Sequence, residues 1–306
     1  YIGSVLAPHL LELGYNVTVL DNIRYNQSSL FGICYHPQFN FIPGDVRDKD
    51  LLSYAVNNAD IIIPLAASVG APECSADPIY AQQVNVDAMR TLAGLVRDDQ
   101  KVLYPNTNSG YGIGEKTDFC TEESPLNPIS LYGRTKVESE KILLSETNAI
   151  SFRLATVFGP SSKMRVDLLV NNFTYKALND GVLVLFEQNF RRNYIHVLDV
   201  AKGFVHGIEN FDSMKGQAYN MGLSSANLTK RQLAEKIKEH IPKMEIISAD
   251  FSQDPDKRDY IVSNEKLEST GWQPTQTLDD GIDQLIKLYT MIKSADGYIS
   301  STAYTL

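Results

Sequence analysis

Tyr132 and Lys136 stand four residues apart, so a helix would carry the phenol and the ammonium on one face. An ammonium beside a phenol favours the phenolate and draws the tyrosine pKa down toward neutrality, as a general base requires. The spacing alone carries little weight, because Tyr289 and Lys293 share it in a chain with 16 tyrosines. Context separates the two pairs. Tyr132 follows a strand-like run at 101–105 and a polar turn, Asn106-Thr107-Asn108-Ser109-Gly110-Tyr111-Gly112. Tyr289 falls in a late amphipathic helix without such a neighbour and reads as structural.

A second set of candidate residues opens the chain. Gly3 begins a helical pattern and the next strand-like run ends at Asp21. A helix N-terminus faces a pyrophosphate well, and an acid at the tip of the following strand accepts hydrogen bonds from an adenosine ribose. A 2'-phosphate there would meet the Asp21 carboxylate with only Arg24 as a nearby cation, so NAD is favoured over NADP.

The elements that must position these groups follow from hydrophobic periodicity. Val5, Leu6, Leu10 and Leu13 recur at helical spacing, with Pro8 loosening the pattern and Gly14 stopping it. Strands are predicted at 16–20, 39–42, 60–65, 101–105 and 150–155, and helices at 78–97 and 130–145. The almost wholly apolar run at 60–65 suits a strand buried on both faces of a parallel sheet. The alternation through residue 155 reads as a doubly wound, Rossmann-like α/β sheet. After residue 156 the rhythm changes. A loop at 159–162 precedes a helix at 167–179, short strands at 182–186, 194–197 and 218–221, and amphipathic helices at 228–240 and 278–291. Asn227 or Thr229 caps the first of these two helices. The expected division is a dinucleotide domain, 1–155 plus 192–223, and a smaller interleaved substrate domain, 156–191 plus 224–306. Residues 294–306 read as a frayed tail.

Composition narrows the function. With 306 residues there is room for one large or two ordinary domains. Hydrophobic residues at 43% and charged residues at 21% are ordinary globular values. No apolar run approaches the ~18 residues a membrane helix needs. A net charge of -9 leaves no basic footprint for nucleic acid. Cys34, Cys74 and Cys120 lie far apart, with neither disulfide-framework nor zinc-ligand spacing, which points to a reducing cytoplasm. The five histidines form no HxxxH or HExxH pair, so no metal site is expected.

Tyr1-Ile2-Gly3-Ser4 resembles the tail of the TGGAGYIGS loop of the extended short-chain dehydrogenase/reductases, the nucleotide-sugar epimerase/dehydratase family. The resemblance implies a protein longer at its start by a strand and a glycine turn, and so an interruption at the centre of the sheet. It places Tyr1, Ile2 and Gly3 at the pyrophosphate and Asp21 and Asn22 at the ribose. Asp45 and Val46 of a GDxRD turn would contact adenine, Leu65-Ala66-Ala67 would pass under the cofactor, and Asn85 matches the Asn of the NVxG helix. Arg192-Asn193-Tyr194-Ile195-His196-Val197, Tyr219-Asn220-Met221-Gly222 and Gly271-Trp272 followed by Pro274 resemble later landmarks in the same order. His196, Asn220 and Trp272 read as scaffold.

The resemblance also implies a mechanism. Thr107 occupies the family's Ser/Thr position, Tyr132 takes the C4 hydroxyl proton of a nucleotide-activated sugar, and Lys136 holds the nicotinamide ribose. Asn108 and Ser109 stand where the 4,6-dehydratases carry Asp and Glu. Neither exchanges a proton at neutral pH, which excludes dehydration by that route and leaves both as substrate contacts. Arg192 and Arg258 match phosphate-contacting arginines, with Arg165, Arg191 and Lys163 as further candidates. Thr156 replaces the usual Asn of an R-x-x-N segment. Within the family, PNTNSGYGIGE (105–115), RLATVFG (153–159), 164–177 and DPDKRDY (254–260) resemble the bacterial GDP-D-glycero-α-D-manno-heptose 4-dehydrogenases of capsular heptose synthesis. The expected product is a 4-keto sugar nucleotide. A 4-epimerase needs the same residues, and a non-catalytic NAD(H) sensor could share the fold. The helices over 78–97 and 130–145 imply a homodimer through a four-helix bundle.

Overall fold

The computed structural model describes residues 1–25, 28–114, 118–249 and 258–294. Helix α1 (Gly3–Glu12) contains Pro8 and stops at Gly14, whose φ of +85° suits glycine. Strands β1 (Val17–Asp21) and β2 (Phe39–Pro43) follow, then α2 (Lys49–Asn57), capped by the Asp48 carboxylate on the backbone N–H groups of Asp50 and Leu51. The chain continues through β3 (Ile61–Ile62), α3 (Ala71–Ala76), α4 (Pro78–Gln82) and α5 (Ala88–Ala93) to β4 (Lys101–Thr107) and the long α6 (Leu131–Glu146). Next come β5 (Ala149–Leu154), β6 (Thr156–Phe158), α7 (Leu169–Asn179), β7 (Val182–Leu185) and β8 (Arg191–His196). Then follow α8 (Val197–Glu209), α9 (Phe211–Met214), β9 (Gln217–Met221), β10 (Asn227–Thr229), α10 (Lys230–His240), β11 (Glu245–Ser248), α11 (Glu265–Glu268) and α12 (Leu278–Ser294).

The strands form the doubly wound parallel arrangement in pieces. β3-β4-β5-β9 is all parallel, and β1 and β2 pair in parallel with each other alone among the described residues. A mixed sheet β10-β8-β6 and a parallel pair β11-β7 belong to the later chain. Phe152, Phe204, Leu103 and Trp272 centre one core beneath the four-stranded sheet. Phe158, Leu183, Leu233, Ile282 and Tyr289 centre another between α7, α10 and α12.

Several elements depart from expectation. The strand at 60–65 is only Ile61–Ile62, because Pro64 has no N–H to give a ladder and Leu65 N turns back onto Ile63 O. The helix at 78–97 is interrupted at 83–87 by a π turn, and its α-helical part ends at Ala93. There the Ser139 hydroxyl donates to Asn85 O, drawing that carbonyl out of the regular ladder. Helices α2 and α8 and strand β11 have no counterpart in the sequence reading. Of the motifs quoted, Glu115 and residues 254–257 lie outside the described residues, as does the tail from 295.

Candidate active site

Strand β4 delivers Thr107 to the sheet edge, where its hydroxyl accepts from Ser109 N (3.1 Å) and donates to Ser109 Oγ (2.9 Å). This cap opens the tight turn Asn108–Tyr111. Ser130 caps α6 on Gly133 N, which places Tyr132 in the first turn and Lys136 one turn on. The turn and helix approach so closely that a Cβ at Gly110 would sit 2.9 Å from Val137 Cγ2. One at Gly133 would sit 3.1 Å from Ser109 O.

Burial pushes the Tyr132 phenol up to about 12. Against this pull the cations of Arg165 and Arg258 and a hydrogen bond with Thr107, while Cys74 pushes the other way. The Lys136 ammonium is turned onto the face of Tyr104, 4.0 Å from the ring centroid. Among the described residues no carboxylate pairs with it, and burial brings it down to about 7, with Glu140 and Cys74 sustaining its charge. The sequence argument that Lys136 draws the phenol toward neutrality is thus corrected. In this geometry Arg165 and Arg258 are the cations that act most on Tyr132, because the ammonium points at Tyr104.

On the dinucleotide side, the N-cap residue of α1, Ile2, makes no side-chain cap among the described residues, and a Cβ on Gly3 would lie 3.4 Å from Leu65 Cδ1. Ser68, just past the Leu65-Ala66-Ala67 turn, is pinned by Asn85. The Asn85 amide accepts from Ser68 N (2.9 Å) and donates to Ser68 O and Thr135 Oγ1 (both 3.0 Å). Asn85, 2% exposed, is therefore used up between the turn and α6 and stands behind the cleft rather than in it. Asp21, exposed at the tip of β1, accepts from Ile23 N (2.7 Å). Asn22 donates to Asp45 (3.1 Å). The guanidinium of Arg47 takes both oxygens of Asp45 at 2.9 Å and holds it at about 2. Val46 packs against the core formed by α2, α5 and β4. Arg24, the nearby cation, stacks on Tyr80 at 4.0 Å. The Tyr1 phenol is turned away from α1, donating to Gly159 O (2.7 Å) and accepting from Asn171 (3.2 Å). An uncapped helix start, a small-residue turn, an exposed strand-tip carboxylate and a buried ammonium without its own carboxylate fit a dinucleotide.

On the facing side, Arg258 donates to Ser109 Oγ and Arg165 is braced by Asp167 (Nε to Oδ1, 2.7 Å). Arg192 departs from its expected place. It is 4% exposed, and its guanidinium donates to the backbone oxygens of Arg191 (2.8 Å) and Arg258, so it braces the Arg258 backbone from within. Arg191 is paired with Asp259 through Nε (2.9 Å) and Nη2 (3.1 Å). Thr156 is the partly exposed first residue of β6, in register with Tyr194. Asn108 is 1% exposed, and neither of its amide atoms has a hydrogen-bond partner among the described residues. The geometry thus brings Thr107, Ser109, Tyr132, Arg165 and Arg258 together and leaves Asn85 and Arg192 behind. Tyr289 is buried and donates to Asn171 O (3.1 Å), a packing role. The sequence reading gave no place to Glu140, Cys74 or Tyr104. Only Glu140 carries a signal, extending the four-residue step from Tyr132 through Lys136.

A family model described as the NAD dependent epimerase/dehydratase family matches residues 1–222. The low-salt glycan biosynthesis protein Agl12 of Haloferax volcanii is 29% identical over 308 residues, covering 94% of this chain and 95% of that protein. The putative UDP-glucose 4-epimerase of Methanocaldococcus jannaschii is 25% identical, covering 94% of each. Among solved structures, the dTDP-glucose 4,6-dehydratase of Bacillus anthracis in complex with NAD superposes with a TM-score of 0.83 at 24% identity, covering 96% of this chain and 94% of that one. At this identity the likeness speaks for the fold.

Proposed function

The chain belongs to the NAD dependent epimerase/dehydratase family, matched over residues 1–222, and from that premise we propose that it oxidises the C4 hydroxyl of a nucleotide-activated sugar to the 4-keto sugar nucleotide. The substrate we propose is GDP-D-glycero-α-D-manno-heptose. The observation that supports the reading is the close packing of the Thr107–Ser109 turn, with Arg258 on Ser109 Oγ, against the first turn of α6, which carries Tyr132.

NAD, when bound, supplies the acceptor for the two electrons and the hydrogen that leave C4. The protein's own residues handle the proton and the charge. Tyr132 as phenolate takes the proton of the C4 hydroxyl, and Thr107 holds that hydroxyl in line. Arg165 and Arg258 hold the diphosphate and, by the same charge, favour the phenolate. Lys136, buried and short of acceptors, holds the nicotinamide ribose hydroxyls, and Asp21 holds the adenosine ribose. Asn108 and Ser109 supply no acid and base for dehydration, so the reaction ends at the ketone. The buried amide of Asn108, without a partner among the described residues, supports a polar contact with the sugar.

A 4-epimerase is the second reading, supported by the activity named for the Methanocaldococcus relative. It uses the same residues and leaves no net redox change. We take the protein as a cytoplasmic homodimer. Its three free thiols and the adjacent α5 and α6, linked outward by Arg90 and Glu138, support this reading. The test is incubation with NAD and a panel of GDP-, UDP- and CDP-sugars, following absorbance at the NADH band and product mass. A product two mass units lighter with stoichiometric NADH supports the dehydrogenase; an isomer of unchanged mass supports the epimerase; no turnover of any sugar overturns both.

A further inference from the structure

Behind the site lies a polar cluster that no step above uses. Tyr132, Lys136 and Glu140 share one face of α6, and Glu140 is 2% exposed. Its carboxylate accepts from Asn106 Nδ2 and Ser151 Oγ (both 2.6 Å), from Arg153 Nη2 (2.8 Å) and from Arg153 Nε (3.2 Å). Asn106 immediately precedes Thr107. Arg153, 6% exposed, spends Nη1 on Tyr111 OH (3.1 Å) and Glu122 O (3.0 Å), and Tyr111 donates on to Asn220 (2.7 Å). One ion pair therefore ties the strand end that carries Thr107, the helix that carries Tyr132 and Lys136, and strands β5 and β9.

A buried pair of this kind is weak evidence of stability, since desolvating two charges offsets most of their attraction. Its orientation is more informative. The groups that face the Lys136 ammonium among the described residues are Tyr104 from β4, Cys74 from α3 and Glu140 from α6. Glu140 is the carboxylate among them. The Arg153 end of the pair points the other way, into Tyr111 and Glu122.

We propose that Glu140 is a positioning residue for catalysis, held by Arg153, which keeps Lys136 charged and fixes Thr107 against α6. The burial that brings Lys136 down to about 7 would take it lower without this carboxylate. The inference rests on the reading of Lys136 as the cation that holds the ribose.

The test is calorimetric titration of the whole protein with NAD from pH 6 to 9, which needs no sugar substrate. In the wild type, affinity falls as Lys136 loses its proton. In Glu140→Gln the fall sets in at lower pH, with binding about tenfold weaker at pH 8 for each unit of displacement. The charge-neutral double variant Glu140→Gln/Arg153→Met gives the same displacement and avoids a lone buried guanidinium, so it serves where the single variant does not fold. A merely structural role lowers the melting temperature but leaves the pH at which affinity falls unchanged in the folded protein, and that result overturns the proposal. Lys136→Met separates the two layers. If it leaves NAD affinity and its pH dependence untouched, the reading of Lys136 itself fails; if it abolishes the dependence while both Glu140 variants keep it, only the positioning role fails.

Discussion

At the residue scale, two tyrosines four places ahead of a lysine are told apart by what surrounds them. Tyr132→Phe keeps the ring and removes the proton acceptor, so turnover should fall by a factor of ~10² to 10⁴ with little change in melting temperature. Tyr289→Phe loses one buried hydrogen bond to Asn171, about 1 kcal/mol of stability, and should leave turnover intact. Retention of more than about a tenth of the rate by Tyr132→Phe would sink the general-base assignment. The charge on that phenol gives a second expectation. Because Tyr132 stands at about 12 and Arg165 favours its ionised form, Arg165→Gln should move the acid limb of the turnover profile to higher pH. Asp167→Asn releases Arg165 from its carboxylate and should move the limb the other way. A profile that shifts in neither variant removes Arg165 from the site. In the sequence, Tyr132 is marked by its helical step to Lys136 together with the strand and polar turn that precede it, and Thr107 by the resemblance to the family. The direction of Lys136 is not legible there, since it depends on Tyr104 from a distant part of the chain, and neither is the burial that outweighs its charge.

At the scale of elements, the long amphipathic helices of the later chain are the most legible. The two late amphipathic helices, α10 and α12, lie where periodicity places them, and Thr229 makes a full capping box with Gln232 on α10. Helix α8 was missed because Gly203 and Gly207 lower its helix propensity, although Lys202, His206 and Glu209 recur at helical spacing opposite the buried Val197, Val200, Ala201, Phe204, Val205 and Ile208. The π turn at 83–87 was invisible for another reason: its cause is a hydroxyl on α6, not a residue of its own segment. The packing of α10 on α12 carries its own pH dependence. His240 lies 2.7 Å from both Asp279 and Asp283, and although burial opposes its charge these carboxylates hold its pKa above the ordinary 6.5. A folded-state pKa above the unfolded one means that the contribution to stability is complete below pH 6.5 and is lost as pH rises through the raised value. His240→Gln should therefore lower stability by about 1 kcal/mol at pH 6 and much less at pH 9. Equal losses at the two pH values, read from urea melts, would show that the imidazole acts by packing alone.

For the whole molecule, the start of the chain is fastened to its later half. The Tyr1 phenol reaches Gly159 and Asn171, Ser4 Oγ meets Ser161 Oγ at 2.7 Å, and Asn171 receives Tyr289 from α12. The same junction lies beside the N-terminus of α1, where a pyrophosphate belongs. Composition could reveal none of this. It shows an acidic chain of -9, while the fold gathers Arg165 and Arg258 at Tyr132 and sets Lys163 over Tyr25 on the dinucleotide side. A ligand that binds only the folded state should thus stabilise both halves together. At a free NAD concentration 100 times its Kd, the gain is about 2.7 kcal/mol. With an unfolding entropy of about 2 cal/mol/K per residue, a chain of this length should melt about 4 °C higher, in one transition. NADP should give a smaller shift, because its 2'-phosphate meets the carboxylate of Asp21, which among the described residues accepts only from Ile23 N. Asp21→Ala should narrow the difference between the two cofactors, chiefly by weakening NAD. Scanning calorimetry decides the matter: two separate transitions, only one of them moved by NAD, would show that the junction at Tyr1 and Ser4 does not couple the halves, and an NADP shift equal to that of NAD would remove Asp21 from the ribose.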